Sequence, residues 1–371
     1  MRTLSSFCVR SLVLTLVLVA FGGVADAQGR RGKKSKKPKA KSTATATLVL
    51  QSGKKRTNVR IREAKYTVIK FREKGRSGIQ EIKADTVREI RYKSAPPTYS
   101  SGRSQLRGSR YDDAAASFTK ALSAAEAGSG PWLYASYYLG RAKLLGKDFE
   151  AAAKAFKRVL DKAPEDFLVP AATYGLGEAL TGSGEYSKAS ATFSKLDDGF
   201  GNYWRAQCQI GIGDAALAQK KGTPARKAYK MAESRGAAFP EIRQRALVGV
   251  GKSYVLSKSW SKALEEFERI ITQAGADPVV AGNAWVGKGD CLMAQSKEKS
   301  GPKQKSLIKE ALIAYQTCTV RYAGIPEAYP KALYQSASIY AKLGLANMAK
   351  LQRAELKSRC PSSSWAGKLK K

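Results

Sequence analysis

Histidine is absent from all 371 residues, and acids are scarce: 30 Asp and Glu stand against 66 Lys and Arg. Without histidine, no side chain has its ordinary pKa near neutrality. Ser-His-Asp and Cys-His arrangements are excluded, together with every histidine-containing metal site. The five cysteines include no C-x-x-C pair, so a redox motif is not indicated. The carboxylates Asp112/Asp113 and Asp197/Asp198 are sequence neighbours, which diverge on a helix and form no opposed pair. The chain therefore reads as non-enzymatic, with no catalytic residue, cofactor site or metal site expected. The apolar run SLVLTLVLVAF, residues 11–21, is short for a membrane span of roughly 20 residues.

That run belongs to an address label. Arg2 and Arg10 give a basic start, the apolar core follows, and Ala25-Asp26-Ala27 closes it. The pattern is that of a cleaved secretory signal over residues 1–27. Cleavage is expected after Ala27, which would leave an exported chain, periplasmic or extracellular, with no membrane span. Cys8 precedes the apolar run, which argues against a lipoprotein anchor. Cleavage removes two basic residues and Asp26, so the formal charge falls only from +36 to +35. Cys208, Cys291, Cys318 and Cys360 remain. Export allows two disulfides in any of three connectivities. The other reading makes Cys208, Cys291 and Cys318 small buried helix residues, with Cys360 the most exposed.

Residues 28–44 form a basic arm. Eight of the twelve residues from Arg30 to Lys41 are Lys or Arg. Such a block buries no apolar area and repels itself, so it is expected to be disordered. Arg30, Arg31, Lys33, Lys34, Lys36 and Lys37 are the candidate contacts to an anionic surface: lipid, an acidic envelope polymer or nucleic acid. A solvated linker is the plainer reading. No aromatic is interleaved, so base stacking is unsupported there.

From residue 45 to 93 the pattern alternates. Val59/Ile61, Val68/Ile69/Phe71 and Ile79/Ile82 mark apolar positions, punctuated by Gly53 and KGRSG. Four or five short antiparallel strands are expected. The ending ADTVREIRY resembles the closing strand of small SH3-like or Sm-like barrels, which implies a peptide- or RNA-binding module or a plain packing one. KSAPPTYSSG then reads as a linker over 94–101.

Beyond that the chain repeats. Leu139-Gly140 is followed by Phe149, Ala152, Phe156, Leu160 and Pro164, and similar series recur around Gly102, Gly177, Gly213, Gly251, Gly289 and Gly344. The Ala of each series falls at 114, 152, 189, 225, 263, 311 and 349, at steps of 38, 37, 36, 38, 48 and 38. The long step holds the polar insertion QSKEKSGPKQKSL. The series resembles the tetratricopeptide repeat, whose usual period is about 34. The extra residues are expected to lengthen the turns between hairpins. The resemblance implies a mainly α chain, an α-solenoid of about seven helical hairpins over 102–360, with a basic tail at 361–371. Each hairpin buries its apolar face only against its neighbours.

The family resemblance also implies a concave groove lined by the first helix of each hairpin. Positions flanking the L-G pair would line it: Tyr134, Tyr137, Arg141, Tyr174, Glu178, Ile210, Asp214, Val248, Lys252 and Tyr334. Tyr134, Tyr137, Arg141, Tyr174, Glu178, Asp214, Lys252 and Tyr334 are the candidate partner-binding residues. Packing of the Tyr rings between helices is the alternative. The expected function is a non-enzymatic exported scaffold that holds a protein or peptide partner. A polyanion-binding protein, with nucleic acid or an anionic polysaccharide as ligand, is the alternative. Basic clusters in KKGTPARKAYK, SKEKSGPKQKSLIK and GKLKK add to the positive field.

Overall fold

The computed structural model describes residues 44–273, 275–325 and 327–370; the signal segment and Arg30 to Lys37 lie outside them. Five strands come first: β1 (Thr45–Leu50), β2 (Lys55–Ala64), β3 (Val68–Arg72), β4 (Gln80–Lys83) and β5 (Val87–Tyr92). They form one antiparallel sheet in the order β4-β3-β2-β1-β5, so the last strand lies beside the first. The alternation sets the faces: Val59, Ile61, Ile69 and Phe71 are buried while Arg60, Arg62 and Arg72 face water. A register shift between Ile61 and Glu63 interrupts the pairing of the long β2 with β3.

Seven helical hairpins follow, each with a first and a second helix: α1 (Pro97–Arg107) with α2 (Tyr111–Ala124), α3 (Gly130–Leu145) with α4 (Phe149–Lys162), α5 (Val169–Gly182) with α6 (Tyr186–Ser194), α7 (Gly201–Ala218) with α8 (Gly222–Arg235), α9 (Pro240–Leu256) with α10 (Trp260–Ile271), α11 (Pro278–Ser296) with α12 (Gly301–Arg321), and α13 (Ala328–Lys342) with α14 (Ala346–Arg359). The fold is mainly α, a solenoid behind a small antiparallel sheet.

Three expectations change in detail. The 94–101 linker is shorter than its composition suggests. Pro97 opens α1 at a position where its missing N–H costs nothing, and Tyr99 packs edge-on against Phe118 and Tyr138. The insertion QSKEKSGPKQKSL is largely helix: α11 runs to Ser296, α12 starts at Gly301, and α12 reaches 21 residues against 14 in α10's neighbour α8. The tail folds back as α15 (Ser364–Gly367), whose N-cap Ser363 accepts a hydrogen bond from the Ala366 N–H. Turns between hairpins are longer than turns within them, as the period requires: Ala163–Leu168 against Gly146–Asp148. All four cysteines of the described residues are thiols, with Cys208, Cys291 and Cys318 buried. Burial pushes the Cys291 and Cys318 thiols up to about 12, so neither is a reactive thiolate.

The glycines explain how hairpins stack. Phe156 on α4 lies between Gly140 of its own hairpin and Gly175 of the next. Phe193 lies between Gly177 and Gly211, Tyr229 between Gly213 and Gly249, Phe267 between Gly251 and Gly287. A Cβ at Gly177 or Gly211 would stand 2.4 or 2.3 Å from the Phe193 ring, inside any tolerable contact. The rings are fully buried, as are the facing alanines from Ala114 to Ala311.

The sheet is sewn to the solenoid. Ala46, Leu48, Ile69 and Ile90 share one core with Leu133, Tyr134, Phe156 and Leu168. The Phe167 N–H donates to Ala64 O at 3.0 Å, the Tyr66 N–H to Glu165 O at 3.1 Å, and the Ile90 N–H to the Tyr134 hydroxyl at 3.0 Å. Tyr66 meets Phe200 edge-on at 4.7 Å. Asp166, bridged to Lys65 across this seam, is held by burial at a raised pKa of about 6, partly offset by the Leu168 N–H that it accepts.

Two outcomes follow. Gly211→Ala gains about 1 kcal/mol of helix propensity and loses about 3 kcal/mol to overpacking against Phe193, so urea titration should show a net loss of about 2 kcal/mol. Asp166 carries the second. Its carboxyl binds the proton more tightly folded than unfolded, so the folded state holds more protons between pH 4 and 6. Its contribution to stability is present below the unfolded pKa of about 4 and falls as pH rises through 6. Asp166→Asn should flatten that part of the stability–pH curve, measured by urea midpoints across the range.

Candidate partner-binding groove

The residue after each L-G glycine lies on the first helix of its hairpin, at a register fixed by the buried ring. These residues are Arg141, Glu178, Asp214, Lys252 and, by the same rule, Asp290. Most are paired along the solenoid. Arg141 Nη1 donates to Glu178 Oε2 at 2.8 Å across one hairpin boundary. Burial raises the Glu178 pKa, and the Arg141 guanidinium opposes that shift. Lys331 on α13 ion-pairs with Asp290 on α11.

Arg245 on α9 ties three hairpins together. Its guanidinium donates to the Tyr174 hydroxyl at 3.1 Å and to Gln207 Oε1 at 3.2 Å, and lies 3.6 Å from Asp214 Oδ2. Gln207 Nε2 in turn donates to the Tyr203 hydroxyl at 3.0 Å. The Arg245 and Asp214 side chains remain 40% and 45% exposed, so this polar row reaches solvent while paired. The core feeds into the same wall: Tyr229 donates its hydroxyl to Asp214 Oδ1 at 2.6 Å, and Tyr315 to Asp290 Oδ1 at 2.8 Å.

The eight candidate residues divide. Arg141, Glu178 and Asp214 stand in the polar row. Lys252 is exposed and makes no ion pair among the described residues. Tyr134 and Tyr174 are only 5% and 8% exposed, which corrects their reading as presented recognition rings. Strand β5 covers Tyr134, whose hydroxyl accepts the Ile90 N–H; Tyr174 packs on Phe193 and accepts from Arg245. Tyr137 packs against Tyr138 and Phe156, and burial holds its hydroxyl up at about 12. Tyr334 meets Trp365 of α15 at 5.2 Å, with the Lys368 ammonium 5.9 Å above its ring. Sequence reasoning missed Arg245, Gln207 and Asp290. Register would have found them: Asp290 follows Gly289, and Gln207 and Arg245 stand six before Gly213 and Gly251, as Tyr134 does before Gly140.

Residues 89–248 match the family model of the tetratricopeptide repeat-like domain. Over these residues the chain has a tetratricopeptide repeat-like domain. Its repeat unit continues beyond residue 248, with Phe267 between Gly251 and Gly287 and Tyr315 against Gly289. Among solved structures, the chain is similar to the apo form of RapI at 14% identity and a TM-score of 0.44, over 73% of this chain and 78% of that one. It is similar to a Rap protein complexed with competence and sporulation factor at 12% and 0.47, over 70% and 72%. A tetratricopeptide repeat protein from Parabacteroides merdae gives 15% and 0.47, over 65% and 87%. No curated protein matches. Among the described residues, no helix is long and apolar enough to cross a membrane.

The Arg245 row makes a measurable claim. Arg245→Met should cost about 1–2 kcal/mol, because it strips partners from Tyr174, Gln207 and Asp214 in a half-wet site. A double-mutant cycle with Asp214→Asn should return a coupling of about 0.5–1 kcal/mol in urea titrations.

Proposed function

We propose that this protein is a non-enzymatic exported scaffold that holds a protein partner in its groove, while the basic arm engages an anionic surface of the cell envelope. One observation supports it most: the polar row Arg141–Glu178–Asp214–Arg245 is pre-paired and half-exposed on successive first helices, with Lys252 free beside it. Such a wall offers both charges at fixed spacing, which suits an extended peptide of mixed polarity. The partner is thus read by register along the solenoid, not by exposed aromatic anchors.

A second reading, polyanion binding, draws on the outer face of the sheet. Arg60 and Arg72 stand directly opposite each other on β2 and β3, and neither makes an ion pair among the described residues. Like charges so placed destabilise a sheet unless an anion screens them. Residues 28–43 join this sheet covalently through β1.

A pull-down from envelope extract, at low and at high salt, separates the two. Under the groove reading a discrete protein is retained at high salt, and the pair Lys252→Glu and Arg141→Glu abolishes its capture. Loss of all bound material at high salt, with polyanion in the eluate, would sink the groove reading, because screening removes charge-only association.

A further inference from the structure

The insertion that breaks the repeat period lines a cavity at the sixth hairpin. In the other hairpins, the turn between the two helices places one residue with left-handed φ five positions before the buried Ala: Ser109, Lys147, Gly184, Lys220, Lys258 and Gly344. The corresponding residue of the sixth hairpin is Ser306, which lies inside α12. Helix α12 therefore starts earlier, and its seven residues beyond the 14 of α8 extend it by about 10 Å. That extension overhangs the start of α10. Between them lies a cavity of about 520 Å³ walled by Trp260, Lys258, Lys262, Lys299 and Lys303.

The charge of this cavity is unbalanced. All four lysines are exposed, and none ion-pairs among the described residues, in a solenoid where most groove charges do. Glu298 is the one acid among the lining residues, and its Oε1 accepts the Trp260 indole N–H at 2.9 Å. Four lysines lining one space repel one another, and an anion among them would offset that repulsion. The lining holds four lysines against one acid, which suits a ligand with several negative charges close together, and an ammonium is a recurrent phosphate binder as a compact point charge. The volume far exceeds the roughly 30 Å³ share of one water, so several such groups fit.

We propose that this cavity binds a ligand carrying clustered phosphate groups, with the lysines on the phosphates and Trp260 as a flat wall for the rest of the molecule. The inference is independent of the groove reading, because no residue is shared. It also gives the cluster in SKEKSGPKQKSLIK a specific role in place of a diffuse field.

Isothermal titration of the mature chain with inorganic tripolyphosphate tests it. Lys299→Gln with Lys303→Gln should weaken binding about tenfold, as loss of two solvent-exposed charge pairs does. Lys342→Gln with Lys350→Gln removes the same charge from exposed positions elsewhere and should change affinity less than twofold. Thermal melts of both variants should match the parent, since only exposed side chains change. Equal weakening by the two pairs would reduce the effect to the net field of the protein. Absence of saturable binding by the parent would overturn the site outright. Repeating the titration with long-chain polyphosphate separates the sources: equal affinity per site indicates a small ligand, and tighter binding indicates a polymer.

Discussion

The whole solenoid rests on a ring clamped between two glycines. Phe156, Phe193, Tyr229 and Phe267 each touch one glycine within their own hairpin and one in the next. The contact within the hairpin sets how closely its two helices approach. The contact across the boundary sets how hairpins stack. A single side chain thus fixes both intervals, and core density leaves no slack in either. Stability in a solenoid is a sum over such neighbour contacts, so each clamp couples two units and a defect in one is felt in both.

The same clamp reaches the surface. Where the ring is Phe, the residue after the glycine is Arg141, Glu178 or Lys252. Where it is Tyr, that residue is Asp214 or Asp290, and the phenol donates to it. A buried hydroxyl without a partner costs free energy, so the core ring constrains the groove residue beside it. Two of the charges in the polar row are therefore answers to a packing problem as well as features of a surface. Their orientation is settled by the core, which would lower the ordering cost of the partner binding proposed above.

What could be read in the sequence follows from distance along the chain. The hairpins were legible because Gly, Ala and the ring recur within about 40 residues of each other and leave a period. The strands were legible from alternation. Packing of the Tyr rings was one open reading, but the cover over Tyr134 was not legible, because Ile90 on β5 belongs to a different periodic pattern whose docking leaves no local mark. Tyr334 was hidden for the same reason, since Trp365 lies in a segment that composition alone marks as tail. QSKEKSGPKQKSL looked like a loop because its residues are polar. Polarity reports exposure, not conformation, and a helix that overhangs its neighbours has few apolar contacts to make. Arg245 needed only register, six residues before its glycine, and the wall it organises could have been drawn from spacing alone.

These covers decide how much of the wall is open to the proposed partner. Strand β5 occupies the second hairpin at Tyr134, and α15 occupies the last at Tyr334. The wall between them, from Arg141 to Asp290, is the stretch whose charges remain half-exposed. There Lys252 interrupts a run of internally paired side chains with a charge that no neighbour among the described residues satisfies. An unanswered charge flanked by answered ones is the position at which a partner adds most, because binding there gains an interaction without breaking another. Under the proposed role, the two end covers do more than seal a core: they bound the stretch of wall open to a peptide, whose middle is the fourth hairpin, at Asp214.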